Sequence, residues 1–523
     1  MNISPNILQD VTRDYPDYLR DESRLVGRAD SISFPASEQE LRDVLSEMAT
    51  KSIPVAVQGA RTGIAGGAVP AGGHIINLSR LNSITGLRQD TVTKRFHVMV
   101  QPGLVLSQLR LALASKNFET IGWSAESLAA LAEYRKPGAW FFPPDPTETS
   151  ASIGGMVAAN ASGACSFLYG PTRNYIAGAR VALADGTILE LRRGTERATK
   201  RSFQLTTEDG QRISGAVPSY NMPSVKNAAG YFAADNMDML DLLIGSEGTL
   251  GVFSQIELML IPVPQAIWGV VAFFPSEENA LQFVTDLRKT GTNPAAIEFF
   301  DERALDLLRT QKLANPAFEK IPEPPAGRNT AIYVEYHCED DNAVSEAVGR
   351  MSETMIRHGG SEDKTWTATE PREMERLKAF RHAVPEAVNL LIDQRRRSNP
   401  GITKLGTDMA VPDEEFSGLM AAYHSGLDAA GLDYVMFGHV GNNHVHLNIL
   451  PRNQDDYDCG KRLYLEWARK VIASGGTVSA EHGVGKLKIT LLAEMYGPDG
   501  IRQMRDVKKI FDPASILSRG NLF

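Results

Sequence analysis

The stretch "FGHVGNNHVHLNIL" (residues 437–450) sets His439, His444 and His446 within eight positions of a 523-residue chain that has only ten histidines. Imidazole is the side chain that titrates near neutrality and the commonest metal ligand, so such a concentration can do proton or metal chemistry. Val445, Leu447 and Ile449 alternate with His444, His446 and Asn448, the period-2 signature of a half-buried strand. "YVMF" upstream is β-prone, and "GNN" between the two runs suits a tight turn. With Asn442 and Asn443 as a two-residue turn, Gly441 faces His444 and His439 faces His446. Facing residues have Cβ atoms about 4.5–5.5 Å apart. That spacing fits two imidazoles sharing one metal ion, and equally a pair of stacked or hydrogen-bonded structural histidines. Further on, "SAEHGVGK" (residues 479–486) sets Glu481 and His482 before glycines at 483 and 485, which leave space above the pair. A helix start whose carboxylate satisfies backbone donors is the competing reading.

Three small-residue loops form the second chemical feature. "VQGARTGIAGGAVP" (residues 57–70) follows an apolar strand and lets backbone N–H groups approach an anion, as in a phosphate nest. It lacks the G-x-G-x-x-G spacing of a dinucleotide fingerprint, and no G-x-x-x-x-G-K-[ST] occurs, which excludes that class of ATPase. "PPDPTETSASIGGMVAANASGACSFLYGPTRN" (residues 143–174) and "IGSEGTLGVFS" (residues 244–254) are the other two. Each alone reads equally well as a structural turn.

These groups must be positioned by more than one domain. Up to about Pro264 the chain alternates short β-like runs with helix-period segments such as "SEQELRDVLSEMATKS", where Ser37 is a plausible N-cap and Glu40 follows three residues on. "PVPQ" (residues 262–265) marks a domain edge. Beyond it, "WGVVAFFPSEENALQFVTDLRKTG" and "TAIYVEYHCEDDNAVSEAVGRMSETMIRHGG" each read strand then helix, with the Pro-rich "ANPAFEKIPEPPAGRN" as a loop between them. Two such units and the histidine hairpin predict a second α+β domain on an antiparallel sheet. "YDCGKRLYLEWARKVIASGG" predicts a helix after the hairpin.

Composition narrows the class. A net charge of −9 with no basic block, "DQRRRS" being the densest basic run, argues against nucleic acid. Three scattered cysteines build neither a disulfide framework nor an iron–sulfur motif, and predict a reducing, cytoplasmic setting. No apolar run approaches the ~18 residues of a membrane span, and the polar N-terminus is no targeting peptide. Peripheral membrane attachment and a homodimer stay open.

In this order, the three loops resemble those of the flavoproteins of the vanillyl-alcohol-oxidase/PCMH superfamily. The hairpin and "SAEHGVGK" resemble its D-2-hydroxyacid dehydrogenase branch, which includes D-lactate dehydrogenase, D-2-hydroxyglutarate dehydrogenase and the D subunit of glycolate oxidase. The likeness runs from about residue 30 to the C-terminus and is sharpest at "GSEGTLG" and "EHGVG". It implies an α+β fold: an N-terminal segment (1–27), an FAD-binding PCMH-type domain (28–264), a substrate- and metal-binding cap (265–475), and a final segment (476–523) returning to the flavin domain. FAD contacts would come from Gly59, Ala60, Arg61, Thr62 and Gly63; from Pro144, Asp145, Ser152, Gly154, Gly155, Asn160, Ser162 and Gly163; and from Glu247, Gly251 and Val252. Arg61 departs from the family's usual glycine run, and its charge could face the pyrophosphate or turn away. No His or Cys in the first loop can tether FAD, which implies a non-covalent cofactor.

The same resemblance makes His439, His446 and Glu481 ligands of a divalent metal, zinc before iron or manganese, and His482 the base. Arg381 and Lys404 would bind the substrate carboxylate, with Asn448 on the strand face of His446. Arg381 could instead be a surface residue beside Glu386. His444 stands where many members have Asn, and Pro385 where relatives have Thr. The implied reaction oxidises a D-2-hydroxy acid: flavin N5 takes the Cα hydride, and the metal acidifies a hydroxyl whose proton goes to His482. Electrons would leave to a quinone, a cytochrome, an electron-transfer flavoprotein, oxygen or a separate iron–sulfur subunit. The rivals are a non-redox transferase like alkylglycerone-phosphate synthase, a metal hydrolase without flavin, and an inactive flavin-binding subunit.

Overall fold

The computed structural model describes residues 8–319 and 321–523. The first seven residues of the N-terminal stretch, and Lys320 of the Pro-rich loop, lie outside them.

Two sheets build the first part of the chain. In one, the strands Ser31–Ser33, His74–Asn77 and Val55–Gln58 run parallel, with Gln9–Asp10 added antiparallel at the edge. The other is antiparallel, in the order Ile84–Gln89, Phe96–Val100, Val252–Met259, Ile176–Ala182, Ile188–Arg192. The helix Glu38–Thr50 begins where the sequence predicts: Ser37 Oγ accepts from the Glu40 amide at 3.1 Å, and Glu40 reaches back to the Ala36 amide at 2.7 Å.

From Ala266 the chain builds a seven-stranded sheet, antiparallel at every pairing. Its order is Trp366–Ala368, Ala266–Phe274, Thr330–Cys338, Ala296–Phe300, Tyr434–Gly438, His446–Ile449, Leu405–Gly406. Alternate residues serve opposite cores. Val270, Ala272 and Phe274 pack with helices Glu277–Leu287, Asp341–Arg357, Phe416–Ala430 and Gln454–Ala473. Val271 and Phe273 pack with helices Glu302–Ala314 and Pro371–Arg396. Cover on both faces explains why "WGVVAFF" and "AIYVEY" read as nearly continuous apolar runs. It also makes the carboxylates at Glu298 and Glu335, both buried in central strands, conspicuous.

The last segment rejoins the first part. Val484, Leu492, Met504, Val507, Phe511 and Leu522 share a core with Val98, Val181 and Ile256. Val55 exchanges backbone bonds with Ile516 and Ser518 at 2.8 and 2.7 Å.

The histidine hairpin exists, but its register differs from the two-residue-turn expectation. Phe437, not His439, faces His446, and Val435 faces Asn448. The connection is longer because Val440–Asn442 forms a 3-10 turn that Asn443 closes in the left-handed region (φ 51°). His439 therefore lies beyond the last strand residue, free to turn toward His446 rather than pair with it.

Candidate active site

Glu481 Oε1 is the point on which the histidines converge. It lies 3.1 Å from His439 Nε2, 3.1 Å from His446 Nε2 and 3.3 Å from His482 Nε2. The outer nitrogens of the first two rings are already engaged: His439 Nδ1 with Glu298 Oε1 at 2.7 Å, and His446 Nδ1 donating to the Thr407 carbonyl at 3.0 Å. With Nδ1 donating in both rings, the two Nε2 atoms and the carboxylate oxygen are all acceptors. Three acceptors at such distances repel unless a cation or proton lies among them. This donor set of two imidazoles and one carboxylate, each ring oriented by a carboxylate or carbonyl behind it, fits a divalent metal. Without a metal a proton takes the place: burial works against an imidazolium at His439, but Glu298 and Glu481 outweigh it and raise the group to about 9. His446 is lowered by burial, only partly offset by Glu481.

Local backbone makes the approach feasible. A Cβ on Gly438 would stand 2.7 Å from His446 Cδ2, so only glycine admits the ring there. His444 also belongs to the cluster, its ring centroid 4.4 Å from that of His446. It is fully buried, and among the described residues neither nitrogen has a hydrogen-bond partner, although Nε2 is 3.1 Å from Asp408 Oδ1. The distance is right for a bond; the angle is not.

Glu481 and His482 sit on a loop before helix Ile489–Phe511, not at a helix start. Two carboxylates hold that loop. Glu247 accepts from the Val484 and Gly485 amides, each at 2.7 Å. Asp408, 1% exposed, accepts from the Glu481 and His482 amides at 3.1 and 3.0 Å. The His482 ring stacks on His446 (centroids 5.3 Å apart, planes 19° apart), and its side chain is 31% exposed while those of His439, His446 and Glu481 are at 12% or less. It is the most exposed member of the cluster.

Of the expected carboxylate binders, Arg381 is not a surface residue. Its side chain is 10% exposed, with Nη2 3.9 Å from Asp145 Oδ2, and Glu298 and Asp145 hold its charge against burial. Pro385 lies inside the same helix, Pro371–Arg396. Lacking an N–H, it cannot donate to the Arg381 carbonyl. Lys404 is half-buried, and burial, followed by Arg24, lowers its ammonium to about 8. Asn448 is buried beside His446 and donates to the His446 carbonyl at 3.3 Å.

The glycine loops abut one another. Ser152 Oγ caps helix Ile153–Ala158 by accepting from Gly155, and it also accepts from the Ala60 amide at 3.3 Å. Among the described residues the amides of Arg61, Thr62, Gly63 and Ile64 have no hydrogen-bond partner. Unsatisfied backbone amides of this kind are what a phosphate nest offers. A Cβ on Gly163 would collide with the Asp145 carbonyl at 1.6 Å, so close packing of the second loop depends on it. Pro144 accepts from Arg110, Asn160 accepts from the Arg173 amide, and Ser162 Oγ is buried with no partner among the described residues. Ser162 and Asn160, with Lys226, Asn227 and Asn442, line a cavity of about 370 Å³. The charge of Arg61 turns away from this region: its guanidinium lies 4.1 Å over the Tyr18 ring and donates to the Asp17 carbonyl. Gly154, Gly251 and Val252 are packed against Pro102, Val181 and the core behind the sheets.

Four residues of the site are not identified by sequence reasoning in these roles: Asp408, Lys226, Glu298 and, as a clamp on the Glu481 loop, Glu247. Glu298 alone carries a signal, a carboxylate in the otherwise apolar run "AAIEFF". Lys226 and Asp408 are single charges in loops.

The family described as "FAD linked oxidases, C-terminal domain" matches residues 263–522, and that described as "FAD binding domain" matches residues 29–121 and 123–192. The chain is similar to a D-lactate dehydrogenase of Anaerostipes hadrus, 27% identical over 97% of this chain and 92% of that protein. It is 26% identical to glycolate oxidase subunit GlcD of Bacillus subtilis (strain 168), over 94% of this chain and 89% of the relative. A D-2-hydroxyglutarate dehydrogenase of Xanthomonas citri pv. viticola is also 26% identical, over 94% and 89%. Among solved structures, an alkyldihydroxyacetonephosphate synthase shares the fold at a TM-score of 0.63 and 15% identity, over 99% of this chain and 82% of that one.

Proposed function

The chain belongs to the FAD-linked oxidases, and from that premise we propose that it oxidises a D-2-hydroxy acid to the 2-oxo acid with non-covalent FAD and a divalent metal. The observation that carries this reading is the convergence of His439, His446 and His482 on one oxygen of Glu481, buried between the two parts of the chain. FAD would supply the two-electron acceptor, and a metal held by His439, His446 and Glu481 the Lewis acid that makes the hydroxyl acidic. His482 Nε2 takes the hydroxyl proton, since its ring is both exposed and aimed at the cluster. Arg381 and Lys404 receive the substrate carboxylate, a task suited to buried or half-buried cations. Asn448 orients the acid from the strand beside His446. The N₂O donor set favours zinc, with iron and manganese as the alternatives. In this reading residues 28–264 and 476–523 hold the flavin and 265–475 form the cap. Reoxidation goes through a separate acceptor.

Non-covalent attachment is supported by Cys165, the cysteine of the second loop, whose thiol is buried and pushed up by burial and by Glu335. A thiol held protonated is a poor nucleophile toward a flavin. Acid precipitation should release yellow flavin into the supernatant; colour in the pellet would show a covalent bond. The test of the reaction is anaerobic mixing with a panel of D- and L-2-hydroxy acids while flavin absorbance is followed. Bleaching by D acids supports the assignment. No bleaching by any of them, or equal bleaching by L acids, contradicts it.

A further inference from the structure

His482 sits on a loop followed by left-handed glycines at 483 (φ 72°) and 485 (φ 51°), and its ring needs something to fix which nitrogen faces the cluster. Asp408 lies beneath that loop. Its Oδ2 accepts from the His482 amide at 3.0 Å, the Ser479 hydroxyl at 2.8 Å and the Lys488 ammonium at 2.5 Å, while Oδ1 accepts from the Glu481 amide at 3.1 Å. The same Oδ2 stands 3.5 Å from His482 Nδ1, on the side of the ring opposite to Nε2. His444 Nε2 faces the other oxygen at 3.1 Å. Lys488 supplies the countercharge that lets a fully buried carboxylate stay ionised and able to accept.

We propose that Asp408 is the positioning residue for His482. Its two amide contacts fix the loop, and its Oδ2 keeps the proton on His482 Nδ1, so that the Nε2 lone pair faces Glu481 and the substrate. At 3.5 Å the pair is not hydrogen-bonded in this structure, and the bond forms only when the imidazole turns toward Oδ2. A carboxylate behind a working imidazole sets both tautomer and orientation; behind a metal-bound imidazole, removing such a partner typically costs about 10–100-fold, and the same order is expected here. The inference rests on the base role proposed above for His482.

The experiment uses the zinc-loaded, FAD-replete protein with ¹⁵N-labelled histidine, the His482 signals being those missing in His482→Gln. Wild type should show the Nδ1–H tautomer, and Asp408→Asn should lose it. Lys488→Met, which removes the countercharge that keeps Asp408 ionised, should weaken that preference. Flavin reduction in Asp408→Asn should fall about 10–100-fold, and adding Asp408→Asn to His482→Gln should cost nothing more. A proton on Nε2 in wild type overturns the proposal without any variant. An unchanged tautomer in Asp408→Asn, or an equal slowing by Asp408→Asn with and without His482, overturns it too, the last meaning that Asp408 serves only the Glu481 loop. If His482→Gln reduces its flavin at the wild-type rate, it is the base reading that fails, and the tautomer still decides the Asp408–His482 contact.

Discussion

Lys226 Nζ lies 2.5 Å from Glu481 Oε2, a buried ion pair between positions 255 residues apart in the chain. It takes one carboxylate oxygen and leaves the other to the histidines, so Glu481 meets the cluster through Oε1 alone. The pair also ties the loop around residue 226 to the returning C-terminal segment.

Breaking a buried pair leaves an uncompensated charge, at a cost of about 3–5 kcal/mol. Lys226→Met should therefore lower the unfolding free energy of the metal-free protein by that order. A divalent cation then replaces the lost charge, so zinc should raise the melting temperature of the variant by more than it raises that of wild type. Equal gains, measured by calorimetry with and without zinc, would mean that Lys226 and the cation do not share one carboxylate.

His439→Ala and His446→Ala should each lose zinc, measured by elemental analysis after dialysis, while retaining FAD. The residues that flank the free amides of the first glycine loop lie in another sheet system, so their cofactor does not depend on the hairpin. Loss of flavin in both variants would make the hairpin structural.

How far the sequence reaches is clear from these residues. His439, His446, Glu481 and His482 were legible because each lies in a short local pattern of unusual composition, and period-2 alternation announced the strand that carries His446. The pairing register was not, because the three residues of the 3-10 turn and the left-handed Asn443 after it read equally well as a two-residue Asn turn with its flanks. For Arg381 the resemblance implies a carboxylate binder and the local sequence reads equally as a surface helix residue beside Glu386; only packing of that helix on the sheet shows the side chain to be largely buried. Asp408 and Lys226 are invisible in one dimension, since their partners Glu481 and His482 lie 73 to 255 positions away.

His74 supplies a stability test away from the site. It is fully buried in the parallel sheet between Ser31 Oγ and Ser33 Oγ, each at 2.8 Å, and burial lowers it from 6.5 to about 4. Between those values the unfolded chain binds a proton that the folded chain does not, so stability rises with pH there. Acidification through this window should cost on the order of 3 kcal/mol for this one group. Denaturant midpoints from pH 7 to 4.5 should fall less steeply in His74→Asn; an unchanged slope would show that His74 titrates normally in the fold.

The central claim is that His482 accepts the substrate's hydroxyl proton while its neighbour Glu481 serves the metal. The most direct measurement is single-turnover flavin reduction in His482→Gln, with zinc and FAD contents determined on the same sample. The account predicts full occupancy of both, reduction slowed about 10²–10⁴-fold at saturating substrate, and, in wild type, further slowing by deuterium at the substrate Cα. Reduction at the wild-type rate by a fully loaded His482→Gln protein would contradict it.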